Sequence, residues 1–118
     1  MSPRKYEMTT RASATEATRG NVVAAAMELH ARDGVRATSW EAIGRRAGVS
    51  TATVYRHFPA SSDLVRACAR EVFDLVRPPT LEEASVQFAL MEDAADRFAH
   101  LARESAHCYR RGEGWLHA

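Results

Sequence analysis

Three helix-ending residues lie close together in the first half of this sequence, and they keep every helix between them short. They are Gly34, Gly48 and Pro59. Glycine favours the left-handed conformation in which helices end, and proline disfavours helix in the residue before it. The chain must therefore change direction repeatedly, and the sequence predicts several short helices packed against one another.

Apolar spacing and cap residues place these helices. The first is predicted at roughly 18–33, where apolar residues and one histidine recur at helical intervals: Val22, Val23, Ala26, Met27 and His30. The second is predicted at 39–47, with Thr38 or Ser39 as its cap and Glu41 completing a capping box with Thr38. Ser50 caps a third helix that ends at residue 57, before Pro59.

Two further helices are predicted after Pro59. Ser61 or Ser62 caps a fourth helix with one apolar stripe, and Pro78 and Pro79 end it. A capping box at 80–83 then starts one long amphipathic helix over 81–111, whose apolar stripe includes Phe88, Met91 and Phe98. The predicted fold class is all-α, a three-helix helix-turn-helix domain with a fourth connecting helix and one long amphipathic helix.

The predicted organisation has three parts. Residues 1–17 lack periodicity and read as a flexible basic arm containing Arg4, Lys5 and Arg11. Residues 18–77 form the helix-turn-helix domain. Residues 78–118 form a partial C-terminal helical region with a regulatory or dimerisation role.

Composition and charge narrow the possible functions. Among 118 residues no apolar run approaches the roughly 20 that a membrane span needs, and no apolar core follows the N-terminus as in a secretory signal, so a cytoplasmic protein is expected. Cys68 and Cys108 form no CxxC pair. Residues 1–77 carry 12 Lys and Arg against 8 Asp and Glu, whereas residues 78–118 carry 4 against 7. The N-terminal half is therefore the candidate for a polyanion partner, but an excess of this size is also typical of ordinary surface variation, so charge does not decide between the two.

The segment from 39 to 58 meets the local demands of a helix-turn-helix. Small or apolar residues stand wherever the two helices and their turn must pack, at Ile43, Gly44, Ala47, Gly48, Val49, Val54 and Phe58. Thr51, Ala52 and Tyr55 share the opposite face of the third helix, and their side chains suit base edges and phosphates.

The run from Val22 to Leu64, above all Ala47-Gly48-Val49-Ser50 followed by Val54-Tyr55-Arg56-His57-Phe58-Pro59, resembles the DNA-binding domain of the tetracycline-repressor (TetR) family. The resemblance implies a bacterial repressor that reads the major groove of double-stranded DNA with helix 50–57. A homodimer on an inverted repeat is expected. It also implies a DNA-binding set, with Thr51 and Ala52 at bases and Thr53, Tyr55 and His57 at phosphates; the full set is Arg45, Ser50, Thr51, Ala52, Thr53, Tyr55, Arg56, His57 and Ser61.

The sequence departs from the family pattern in three respects. Gly44 stands where the family usually has alanine, at a cost of up to about 1 kcal/mol in helix propensity. Ser61 replaces a common lysine, so a phosphate contact there depends on hydroxyl and backbone N–H groups. Only 39 residues follow Pro79, which suggests a fragment or a truncated relative. With one helix packed on another we expect no drug-sized cavity, so that a small-molecule inducer is possible only for a longer parent chain.

Two alternatives remain open. His100, Glu104, His107 and Cys108 on the last helix suggest a metal site or an enzyme, but His107 and Cys108 point about 100° apart around a helix axis. We therefore predict no metal, cofactor or catalytic residue. The second alternative is a helical protein-interaction module that uses the amphipathic helix 81–111.

Overall fold

The computed structural model describes residues 3–117, with side chains from residue 7 onward, and this part of the chain contains six helices and no strand. The helices are α1 (Pro3–Asp33), α2 (Trp40–Ala47), α3 (Thr51–His57), α4 (Ser61–Val76), α5 (Leu81–Ala89) and α6 (Ala94–Leu116). The predicted all-α class is confirmed. Within residues 3–117, no helix has the length and apolar character needed to cross a membrane.

Helices α1 to α4 share one apolar core. Its buried members come from all four helices and from the turn after α3: Val22, Val23, Ala25, Ala26, Leu29, Ile43, Val54, Phe58, Leu64, Ala67 and Cys68. Most of them stand at the positions where the helical spacing of the sequence predicted an inward face. This core fixes α2 and α3 against α1 and α4.

Cap residues set the boundaries of the short helices. The Ser39 hydroxyl accepts a hydrogen bond from the Ala42 N–H at 3.1 Å, whereas the Thr38 hydroxyl donates to the Gly34 carbonyl at 2.8 Å. Ser39 is therefore the cap of α2, and Thr38 belongs to the preceding turn. Gly34 and Gly48 have φ values of 84° and 74°, the left-handed conformation expected of them.

The predicted cap of α4 is wrong by one residue. Ala60 occupies the cap position, and its side chain cannot accept a hydrogen bond. The Asp63 carboxylate instead accepts from the Ala60 N–H at 3.2 Å, so the first turn is held from inside the helix.

The predicted flexible arm is also wrong where the structure describes it, because residues 3–17 continue α1 toward the N-terminus. Each side chain from residue 7 to residue 17 is exposed, so the sequence has no apolar stripe there that would indicate a helix. Alanine, arginine and glutamate have high helix propensity and can extend an existing helix without a packed face. The side chains of Arg4 and Lys5 lie outside the part that the structure describes.

The single long helix predicted over 81–111 is two helices. Helix α5 ends at Ala89, and Asp93 caps α6 by accepting from the Ala95 N–H at 3.0 Å. The apolar residues keep their helical spacing across the break, so this spacing could not indicate that a short non-helical segment lies there. The break is stabilised by Asp93, whose side chain caps the start of α6. Helix α6 also runs past Gly112, where the sequence predicted its end.

The C-terminal end of α6 is fastened to α4 and α1. The Arg111 guanidinium donates to the carbonyls of Val76 and Arg77, at 2.7 and 3.2 Å, at the end of α4. Gly112 is the one buried residue among the described residues after Val76. The Trp115 indole N–H donates to the Met27 carbonyl of α1 at 3.2 Å. Three contacts close together in sequence therefore anchor this end of α6.

Two grooves flank α6, and each is about half open to solvent. One groove, of about 370 Å³, lies between α5 and α6 and is lined by Phe88, His100 and Leu101 among others. The other, of about 380 Å³, lies between α1, α4 and α6. Phe98, which belongs to the predicted apolar stripe, is 74% exposed.

Candidate nucleic-acid interface

Helix α3 is held by its buried face, and this determines which side chains it presents. Val54 and Phe58 are 0% and 1% exposed. Residues two positions away along a helix point about 160° from each other, so Ala52 and Arg56 point away from Val54, and both are exposed. Tyr55, at about 100° from Val54, is 47% exposed. The outward face thus presents one methyl group, one phenol and one guanidinium.

A chain of hydrogen bonds runs along one side of α3. The Ser50 hydroxyl accepts from the Thr53 N–H at 3.2 Å and also bonds the Thr53 hydroxyl at 2.9 Å. Arg56 donates to that same Thr53 hydroxyl at 3.5 Å. Ser50 is therefore the cap of α3, as predicted. Its bonds to Thr53 fix the position of the Thr53 hydroxyl, to which Arg56 donates.

The Tyr55 ring is oriented by an aromatic neighbour that sequence analysis missed. It stacks on Trp40 with ring centroids 4.7 Å apart and an interplanar angle of 21°. Trp40 begins α2, 15 residues before Tyr55, so no spacing rule within a single helix links the two residues. The stack restricts the Tyr55 ring and leaves its hydroxyl edge at the outward face of α3.

The turn between α2 and α3 depends on close backbone approach. The Val49 N–H donates to the Gly44 carbonyl at 2.9 Å. A Cβ on Gly44 would lie 2.9 Å from the Val49 carbonyl oxygen, closer than such atoms normally come. The glycine at this position is therefore required by the approach of the turn, and the angle between the two helices depends on it.

The other sequence-predicted residues surround α3 on several elements. Thr51 is half-buried beside Tyr55, and His57 is half-buried at the end of α3. Arg45 is exposed on α2, next to Arg46, which pairs with Glu28 of α1 at 2.7 Å. Ser61 is exposed at the first turn of α4. The structure thus brings Ser50 to His57 together on α3 and its cap, with Arg45 and Ser61 on the adjoining helices.

The proposed metal ligands of α6 do not form a cluster. His107 Nδ1 lies 3.9 Å from Glu104 Oε1. His100 instead makes an edge contact with the Phe88 ring, at 5.8 Å between centroids. Among the residues that the structure describes, no three histidine, cysteine, aspartate or glutamate side chains are grouped so that they could hold a metal ion.

The comparisons with known proteins agree with this geometry. Residues 22–68 match the family model described as bacterial regulatory proteins of the tetR family. No curated protein and no solved structure matched the chain. The matched segment begins at the first buried residue of α1 and ends at Cys68 in α4, so it covers the shared core and the whole helix-turn-helix. Residues 22–68, which hold the helix-turn-helix, are therefore similar to the tetR family of bacterial regulatory proteins, a family of DNA-binding transcription regulators.

Proposed function

We propose that this chain is a sequence-specific transcriptional repressor that reads the major groove with α3 and its cap, residues 50–57. The observation that carries the proposal is the orientation of α3, whose Val54 and Phe58 edge is buried while Ala52, Tyr55 and Arg56 point outward. A helix held in this way can enter a groove without losing its own packing.

The proposed roles follow from side-chain chemistry. Thr51 and Ala52 offer a hydroxyl and methyl groups to base edges, while Tyr55, Arg56 and the Ser50 and Thr53 hydroxyls suit phosphate oxygens. Arg45, His57 and Ser61 complete the proposed contact set. At the start of α4 the Asp63 carboxylate already accepts from the Ala60 N–H, so this N–H is not available to a phosphate beside Ser61.

We further propose that two chains bind one inverted repeat, because a single α3 reads too few base pairs to select a genomic site. Large apolar side chains are available to join them on α6 and directly after α5, where Phe98 and Leu90 are exposed by 74% and 75%. These side chains also support a second candidate function, a module that binds another protein.

Selection of duplexes from a random pool tests the proposal. The selected sites are expected to be inverted repeats that bind two chains. Tyr55→Ala is expected to weaken binding to every duplex alike, since a phosphate contact is lost, whereas Thr51→Ala changes base preference at one symmetric pair of positions. If Tyr55→Ala leaves the affinity for every duplex unchanged, the proposed docking of α3 is wrong. If no duplex is enriched and a protein partner is captured through Leu90 and Phe98, the second function is favoured.

A further inference from the structure

The exposed N-terminal half of α1 faces α3 across a groove, and no residue of this half of α1 belongs to the proposed contact set. The α1–α3 groove has a volume of about 320 Å³ and is open to solvent. Its walls are Ala14, Thr15 and Thr18 of α1, Val49 of the turn, and Thr53, Arg56 and His57 of α3. Three hydroxyls, a guanidinium and an imidazole therefore surround one space.

The groove continues the face by which α1 packs on the core. Val22 is fully buried, and Thr18, Thr15 and Arg11 follow it toward the N-terminus within about 40° of the same line along the helix. The stripe thus changes from apolar to hydroxyl-bearing and then to cationic as α1 leaves the core. Because this part of the α1 stripe is polar, it is suited to bind a polar group instead of an apolar side chain.

The chemistry of the groove favours an anion. Arg56 lies on its α3 wall and Arg11 one turn beyond Thr15 on the α1 side. Glu16, the nearest acidic residue in the chain, points about 100° away from Thr15, and Glu7 lies one turn beyond Arg11. Positive side chains therefore stand along the stretch from Arg19 to Arg11, and the Arg19 guanidinium lies 4.8 Å from the centre of the Phe58 ring.

The position of the groove identifies the anion. Arg56 belongs both to the groove and to the outward face of α3, and it donates to Thr53 inside the groove, so a duplex seated on α3 brings its backbone to the groove entrance. We propose that the α1–α3 groove binds backbone phosphates outside the base pairs read by α3, which makes the N-terminal half of α1 a second DNA-contacting element. This inference rests on the proposed function of α3.

Phosphate ethylation interference on a selected duplex tests this inference, because it reports each phosphate that binding requires. The test variant is Thr15→Glu, which places a carboxylate at an exposed position in the groove. The matched control is Ser13→Glu, which adds the same charge to the same helix about 160° around its axis from Thr15. Glutamate is a good helix former, so both variants retain α1, as circular dichroism can verify.

The unmodified chain is expected to show interfering phosphates next to the bases whose identity Thr51 controls, and a further set outside them. Thr15→Glu is expected to lose the outer set and to bind about tenfold more weakly, the effect of one lost charge-assisted contact. Arg11→Ala is expected to reduce the slope of log affinity against log salt by about 0.9. Ser13→Glu keeps both the outer set and the slope.

The inference is overturned if Thr15→Glu and Ser13→Glu give the same pattern, or if the unmodified chain has no outer set. Neither outcome affects the proposed function, which predicts the inner phosphates alone. Absence of the inner phosphates from the unmodified chain is the separate result that contradicts the proposed function itself.

Discussion

Gly44 shows how one missing side chain sets the geometry of the proposed reading unit. Alanine is usual here in the resembling family, and its helix propensity exceeds that of glycine by about 1 kcal/mol. In this chain the Val49 carbonyl oxygen would lie only 2.9 Å from the alanine methyl group. Steric demand therefore opposes propensity at this position.

We expect Gly44→Ala to lower the free energy of unfolding by about 1–2 kcal/mol, because the methyl group meets backbone, which yields less readily than a side chain. Gly20→Ala is the matched control, since Gly20 lies within α1 and a methyl group added there would have no neighbouring atom within 4 Å. That variant is expected to gain about 0.5–1 kcal/mol. Denaturant unfolding measures both, and a gain in Gly44→Ala would show that the turn can move freely.

His30 links the stability of the core to pH. It is 5% exposed on α1, and burial lowers the pKa of its imidazole below the ordinary 6.5. The folded chain therefore binds a proton less readily than the unfolded chain. Its contribution to stability is complete above about pH 6.5 and is lost as the pH falls through the lower folded pKa.

The free energy of unfolding is accordingly expected to fall more steeply between pH 7 and pH 5 in the unmodified chain than in His30→Phe, which keeps an aromatic ring but cannot take up the proton. Urea titrations at several pH values measure the difference between the two chains, in which the titration of the other groups cancels. Parallel curves would mean that the protonated imidazole is tolerated in the core.

At the scale of elements, helix bounds that are set by local residues could be predicted from the sequence, whereas those that depend on tertiary context could not. The bounds of α2 and α3 and the end of α4 follow from Ser39, Gly48, Ser50 and Pro78, because caps and helix breakers act on their immediate neighbours. The start of α1 could not be predicted, because that part of the helix has no packed face. The break between α5 and α6 could not be predicted either, because the apolar spacing continues across it.

The candidate site divides in the same way. The residues of α3 and its cap could be identified because they share one short helix with one buried face. The Trp40 stack on Tyr55 and the α1–α3 groove join residues from different helices, and helical periodicity carries no information about such pairs.

Helix α6 depends on an equally close approach at its far end. A methyl group on Gly112 would lie 2.6 Å from Val76 Cγ2, beside the contact that Arg111 makes with the end of α4. Gly112→Ala is therefore expected to separate α6 from α4 and to speed amide hydrogen exchange throughout α6, while α2 and α3 keep their protection.

Gly114→Ala provides the comparison, because Gly114 lies on the same helix with no atom within 4 Å of the added methyl position. It is expected to slow exchange slightly through its gain in helix propensity. Equal exchange in the two variants would contradict the proposed dependence of α6 on close contact with Val76.

The whole molecule is flat, with extents of 62 × 44 × 19 Å. The smallest extent admits about two helix layers, each about 10 Å thick. Helices α1 to α4 enclose a core at this thickness, but α5 and α6 leave large apolar side chains such as Leu81, Leu90 and Phe98 exposed. The shared apolar core thus lies in α1 to α4, and the part after α4 has apolar surface available to another chain.

The two tryptophans of the sequence stand at the two junctions on which this arrangement depends. Trp40 reports the α2–α3 junction through its stack on Tyr55, and Trp115 reports the α6–α1 junction through its bond to the Met27 carbonyl. Indole emission is sensitive to stacking, hydrogen bonding and water. With Trp115 replaced by phenylalanine, the remaining emission follows the α2–α3 junction. With Trp40 replaced, it follows the release of α6. The molecule thus carries an intrinsic optical probe at each of these two junctions.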